Sequence, residues 1–146
     1  MKGLLTVLLI GLVGCDRSME EIEEQRRLWL ANAPREYSYT VQVSGWRSPR
    51  ELLHPKRVTV QDNHVVAEHV WDAAGHRVGE TAAVGTYWSI VATFDELIEA
   101  KRRDAQVRAR FNEQFGFVER AFVDYGTDLS GWDVEIRDFE ETRSIR

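Results

Sequence analysis

This sequence has little cysteine, no long apolar run and no excess of positive charge. A single cysteine among 146 residues excludes a disulfide within the chain. The apolar stretch Leu4–Val13 is too short to cross a bilayer core of about 30 Å, which takes a helix of roughly 20 apolar residues. With 19 Lys and Arg against 24 Asp and Glu, the formal charge is −5. Nucleic-acid binding is therefore disfavoured, because an acidic domain gains nothing from counterion release.

Sequence motifs of several enzyme and cofactor classes are missing too. The chain has no HExxH, no Gly-x-Ser-x-Gly, no Walker motif and no Rossmann glycine pattern. Its four histidines (His54, His64, His69 and His76) lack the spacing of a zinc site, which favours solvated or hairpin-edge histidines. We therefore predict no catalytic residue, no metal, no cofactor and no nucleotide.

The composition is that of one globular domain. Hydrophobic residues make up 43% of the chain and charged residues 29%, which is ordinary for a folded protein and argues against global disorder. A chain of this length fits a single domain. Internal repeats and low-complexity stretches are absent.

The first residues have the pattern of an export signal. Lys2 supplies a positive charge, and the run Leu4–Val13 has the length of a signal-peptide h-region. The run closes with Leu12-Val13-Gly14-Cys15, which resembles the lipobox of bacterial lipoproteins. We therefore predict a signal peptide over 1–14 that is cleaved before Cys15, with lipid on the Cys15 thiol. The alternatives are an ordinary signal peptide with an incidental cysteine, and an uncleaved anchor.

We predict that the protein is located in the bacterial cell envelope, where it is anchored to a membrane by lipid and faces the periplasm. Several acyl chains hold a protein durably on a bilayer, at about 0.8 kcal/mol per buried CH₂. Asp16, directly after the cysteine, resembles a signal for retention in the inner membrane of some bacteria. We assign 15–18 to the lipidated N-terminus and a short linker, 19–139 to one domain, and 140–146 to a polar tail.

The domain begins with a predicted helix and continues with strands. Ser18 and Glu21 have the spacing of a capping box, and Pro34 ends the pattern, so we predict a helix over 19–32. Residues 37–43 alternate in polarity and predict a half-buried strand. Residues 57–60 and 64–71 predict a hairpin about the turn Gln61-Asp62-Asn63.

The second half repeats this order. Thr93-Phe94-Asp95-Glu96 also fits a capping box, which predicts a second helix over 94–103. Three further strands are predicted over 107–111, 117–124 and 132–136. Residues 72–91 fit either a short strand pair or a long loop. The class is α+β, an antiparallel sheet of five to six strands with the N-terminal and central helices packed on one face.

An ordered set of motifs resembles a known family. After the first helix, the set comprises Tyr37-Ser38-Tyr39-Thr40, the hairpin from Val58 to Val66, Thr93-Phe94-Asp95-Glu96-Leu97, the turn from Phe111 to Phe117, Asp124 and Asp128. This order resembles the domain of unknown function 6174, found in secreted proteins and lipoproteins, over residues 26–138. Asn63 stands where members usually have Gly, and Val118 where they usually have Pro. The resemblance implies the domain's extent and its export, and no activity.

Two segments are candidates for function. The stretch from Asp124 to Asp133 is rich in oxygen ligands without the spacing of a calcium-binding EF-hand loop, so a turn is the favoured interpretation. Trp46 and Trp88 lie in irregular stretches and are the candidate contact surface for a partner. The main hypothesis is a non-catalytic domain that binds an envelope protein or component. The alternatives are an exported hydrolase using the acidic loop with a histidine, and an inhibitor of an exported enzyme.

Overall fold

The computed structural model describes residues 15–45, 54–71, 77–80, 89–126 and 131–142. Two helices and seven strands lie within these ranges. In chain order they are α1 (Met19–Asn32), β1 (Glu36–Gly45), β2 (Lys56–Gln61), β3 (His64–Trp71), β4 (Arg77–Glu80), α2 (Ile90–Arg102), β5 (Gln106–Phe111), β6 (Val118–Asp124) and β7 (Trp132–Glu141).

Helix α1 has the predicted bounds. The Ser18 hydroxyl accepts a hydrogen bond from the Glu21 backbone N–H at 3.2 Å, and the Glu21 carboxylate accepts one from the Ser18 N–H at 2.8 Å. This reciprocal pair satisfies backbone donors that the first turn would otherwise leave without partners. The helix buries Ile22 and Trp29 against the sheet.

The strands form one antiparallel sheet in the order β4-β3-β2-β1-β7-β6-β5. The predicted α+β class, antiparallel pairing and two helices are confirmed. The described sheet has one strand more than the upper predicted number, because Arg77–Glu80 pairs with β3 within the stretch that the sequence left open. Asp62 and Asn63 form the β2–β3 turn with φ of 47° and 65°, a left-handed conformation that Asn tolerates.

Helix α2 corrects one prediction. The helix begins at Ile90, and its N-cap is Ser89, whose hydroxyl accepts from the Ala92 N–H at 3.0 Å. Thr93, predicted as the N-cap, lies inside the helix and is fully buried, with its hydroxyl donating to the Ser89 carbonyl. The capping-box interpretation of Thr93 was wrong, because Ile90 adds an apolar first turn that the core buries completely.

One side of the sheet carries the core. The inward side chains of the strands join those of both helices in a single buried cluster; they include Tyr37, Tyr39, Val41, Val43, Val58, Val60, Val107, Val123, Val134 and Ile136. We call the opposite side of the sheet the open face. No helix in the described part of the chain is long and apolar enough to cross a membrane.

Candidate functional site

The residues that follow Cys15 are built into the edge of the sheet. We call Asp16 and Arg17 the edge strap. Asp16 forms an antiparallel bridge with Arg108 of β5, and the Arg17 N–H donates to the Val107 carbonyl at 2.7 Å. The Asp16 carboxylate in turn accepts the Val107 N–H at 2.7 Å. The strap thus satisfies backbone groups of an edge strand that would otherwise be open to pairing with another chain.

Side chains fasten the strap to its neighbours. Lys101 of α2 donates to the Asp16 carboxylate at 3.1 Å, and the Arg17 guanidinium donates to the Ala109 carbonyl at 3.1 Å. The hydrogen bond from the Val107 N–H is the main cause that lowers the pKa of Asp16, assisted by Lys101. Asp16 is a carboxylate at neutral pH, the form that accepts both bonds, and its lowered pKa keeps it in that form in more acidic solution as well.

Cys15 therefore lies directly against the folded domain. Its thiol is free and exposed, whereas Asp16, Arg17 and Ser18 all have partners in the strap or the helix cap. From the sequence, 15–18 is predicted to be a lipidated end and a short linker. In the structure the residues after Cys15 are fixed, so a group attached to the thiol is held close to β5.

A buried charged pair, which the sequence pattern does not predict, lies on the core side of the sheet. The Lys56 ammonium and Glu68 carboxylate lie 4.0 Å apart, and their side chains are 12% and 8% exposed. Both belong to strands whose inward side chains face the core, and Tyr39 lies in the same region of the sheet. Burial raises the pKa of the Tyr39 hydroxyl, and the Glu68 charge raises it further. The Tyr39 hydroxyl also forms a hydrogen bond with the backbone of Ile90.

The local sequence gave no signal for this pair. The register of β2 and β3 shifts between Thr59 and Val60, so the alternation of β3 changes phase part-way along the strand. That bulge turns Glu68 inward, opposite Val58. A pattern with strict period two cannot locate such a bulge.

The open face is polar, and near its centre the Arg57 side chain forms hydrogen bonds to neighbouring strands. Its guanidinium donates to the Ser38 hydroxyl at 2.7 Å, to the Asp138 carbonyl at 2.6 Å and to the Glu140 carboxylate at 2.9 Å. These bonds tie β2 to β1 and β7. Arg57 is thus occupied in joining strands, although it lies on the side of the sheet that the described helices leave uncovered.

Asp124 of the acidic loop and the histidines of β3 lie far apart in the sheet. The Asp124 carboxylate accepts the Gly126 N–H at 2.8 Å, which confirms a turn role for Asp124. His64 and His69 lie on β3, four positions from β6 in the sheet. At about 4.8 Å between neighbouring strands, four positions separate the two strands by roughly 19 Å. Asp128 and His76 lie outside the described residues.

The tryptophans also divide into some that the structure describes and some that lie outside the described residues. Trp46 and Trp88, the candidate contact surface, both lie outside the described residues. Trp29 is buried at the centre of an aromatic cluster, and Trp132 packs against the core. Within the described ranges, no three His, Cys, Asp or Glu side chains are grouped as metal ligands would be.

Comparison with known proteins identifies one family. Residues 21–140 match the model of a family of unknown function, DUF6174. The match agrees with the resemblance that the motifs indicate over 26–138. No curated protein and no solved structure matches the chain.

Proposed function

The chain belongs to DUF6174, a family of unknown function, and from that premise we propose that it is a lipid-anchored binding domain of the bacterial cell envelope. In this proposal the chain is exported, cut before Cys15 and held on a membrane by diacylglycerol in thioether linkage to the Cys15 thiol. The domain faces the periplasm. It binds an envelope protein or another envelope component and catalyses no reaction.

The position of Cys15 carries the proposal. The thiol is exposed and lies directly before the edge strap, so lipid can be attached there without displacing any packed side chain. The apolar run Leu4–Val13 and the small residue Gly14 before the cysteine support processing at this point. A durable lipid anchor would also account for the one unpaired thiol of an exported chain.

The contacts of Asp16 in the fold bear on the proposed retention in the inner membrane. Its place after the cysteine supports retention in the inner membrane. Yet its carboxylate is engaged by the Val107 N–H and by Lys101. A sorting factor that reads the Asp16 carboxylate must therefore act before the strap docks on β5, or must release it.

The anchor is tested by Cys15→Ser in the native host. We expect wild-type protein to lack residues 1–14, to carry diacylglycerol in its intact mass and to sediment with membranes. The variant should lose the lipid mass and the cleavage before residue 15. Cys15→Ser combined with Glu20→Cys is the control, because it restores an exposed thiol away from the lipobox and should behave as Cys15→Ser does. Normal size and membrane sedimentation of Cys15→Ser would refute the anchor.

The binding role is tested through Trp46 and Trp88. Tryptophans are frequent hot spots of interfaces, and truncating a hot spot costs about 2 kcal/mol or more of binding free energy. We expect the double variant Trp46→Ala, Trp88→Ala to lose partners that wild type retains in pull-downs from solubilised envelope. Leu30→Ala, at an exposed position of α1, is the control. Identical partner profiles for both variants would exclude this surface.

A further inference from the structure

Three arginines and a phenylalanine form an exposed group where β5 and β6 meet on the open face. We call Arg108, Arg110, Arg120 and Phe122 the basic patch. Arg108 lies opposite Phe122 across the two strands, and Arg110 lies opposite Arg120. The Arg110 and Arg120 side chains are 60% and 65% exposed, and Phe122 is 45% exposed.

The basic patch is unfavourable for an isolated domain. Like charges placed directly opposite in an antiparallel pair, as Arg110 and Arg120 are, are destabilising. Phe122, opposite Arg108, leaves apolar surface in water. Glu119 lies 2.9 Å from Arg110 and Asp133 lies 4.0 Å from Arg120, so two of the three charges are partly compensated. Such exposed ion pairs contribute little stability. Arg108 is exposed, and its charge acts on the neighbouring Asp16 carboxylate, whose pKa it helps to lower.

The patch adjoins the proposed lipid attachment residue. Asp16 bridges to Arg108, and Cys15 is the residue before Asp16. The hydrogen bonds of the edge strap fix Asp16 and Arg17 on β5, so the Cys15 thiol is one residue away from a fixed position on that strand. A bilayer that holds Cys15 therefore lies near the β5 edge of the sheet, and the basic patch lies near its headgroups.

We propose that the basic patch binds anionic phospholipid headgroups and so fixes the orientation of the domain on the membrane. Guanidinium groups match the geometry of phosphate oxygens and bind them bidentately. An aromatic ring beside such cations suits the boundary between headgroups and acyl chains. Acidic side chains of β7, Asp133 and Glu135, lie directly opposite Phe122 and Arg120, on the side of the patch toward the centre of the open face. This inference rests on the proposed anchor at Cys15.

The experiment uses the mature chain, residues 15–146, which contains every described helix and strand. Its single thiol is coupled to a maleimide that carries one acyl chain, because one chain alone gives only marginal and reversible membrane binding. Partition of the adduct is measured on phosphatidylcholine vesicles with and without phosphatidylglycerol. Each basic residue near an anionic surface adds about fivefold to affinity. We expect the adduct to prefer the anionic vesicles, and added salt to weaken that preference.

The triple variant Arg108→Gln, Arg110→Gln, Arg120→Gln should lower partition on anionic vesicles by about 100-fold and leave partition on neutral vesicles unchanged. Arg26→Gln, Arg27→Gln, Arg35→Gln is the matched control, since it removes the same charge from α1 and from the residues after it. We expect this control to retain partition within a fewfold of wild type. Equal losses in the two triple variants, or no loss in either, would overturn the proposal.

A second measurement needs no variant. Phenylglyoxal labels exposed arginines, and the wild-type adduct bound to anionic vesicles should be protected at Arg108, Arg110 and Arg120 while Arg27 and Arg35 still react. Uniform labelling would contradict the proposal. The lipid is attached chemically in both measurements, so neither depends on whether the cell lipidates Cys15. Failure of the anchor itself is detected by the Cys15→Ser experiment.

Discussion

Replacing Trp29 with alanine is expected to lower the free energy of unfolding by about 3–5 kcal/mol, the range for removing a large aromatic side chain from a core. Trp29 is 1% exposed and meets the rings of Tyr37, Phe117 and Phe139 edge-on, at centroid distances of 5.3, 5.8 and 6.0 Å. Edge-to-face pairs add stability beyond the area that they bury. One side chain therefore joins α1 to β1, to the turn before β6 and to β7.

Urea unfolding followed by circular dichroism measures this loss. Leu30→Ala is the control, because Leu30 is the next residue of the same helix and is 52% exposed. It should change the free energy of unfolding by less than about 0.5 kcal/mol. Trp29→Phe should fall between the two, since it retains a ring at the site. A loss for Trp29→Ala no larger than that for Leu30→Ala would mean that α1 does not pack on the sheet as described.

The sequence predicted elements whose signals are local. The capping box at Ser18 and the stop at Pro34 bound α1, and the structure confirms both ends. The alternation of Tyr37, Tyr39, Val41 and Val43 predicted β1 and its inward side. These signals suffice because each depends on hydrogen bonds or side-chain spacing within a few residues.

Elements decided by distant contacts were predicted less well. The capping box at Thr93 predicted the wrong start for α2, and Ser89 is the N-cap because burial of Ile90 extends the helix by a turn at its start. The strand Arg77–Glu80 has too little periodicity to be predicted, and its pairing with β3 defines it. The edge strap pairs residues 16 and 108, which no local pattern brings together.

The candidate sites also combine features that are visible in the local sequence with features that only distant contacts in the fold create. The alternation of Arg108, Ala109 and Arg110 is visible in the sequence, but only the sheet register places Arg120 and Phe122 beside them. Only the edge strap brings this group next to Cys15. A sequence can therefore indicate a lipid attachment residue and a basic strand separately, whereas their relation is a property of the fold.

The second large loss of stability is expected on substitution in the buried ion pair of Lys56 and Glu68. Removing one partner of a buried ion pair leaves the other charge without compensation and costs about 3–5 kcal/mol. We expect Glu68→Leu to destabilise the domain by about 3 kcal/mol, because it leaves the Lys56 ammonium, which is 12% exposed, without its acidic partner. Lys56→Met should destabilise the domain less, because Glu68 has a further interaction in the fold. The double variant should lose less stability than the sum of the two single losses, since neither charge is then left in the protein interior without the other.

A double-mutant cycle in urea separates the coupling from the single losses. The matched control is the exposed pair of Glu24 and Arg27 on α1, 2.7 Å apart with side chains 63% and 71% exposed. Its coupling should be below about 1 kcal/mol, because water and ions screen exposed charges. Additive losses at Lys56 and Glu68 would show that the two charges do not compensate each other. Strong coupling would instead identify the pair as the reason why a lysine and a glutamate persist at inward positions of β2 and β3.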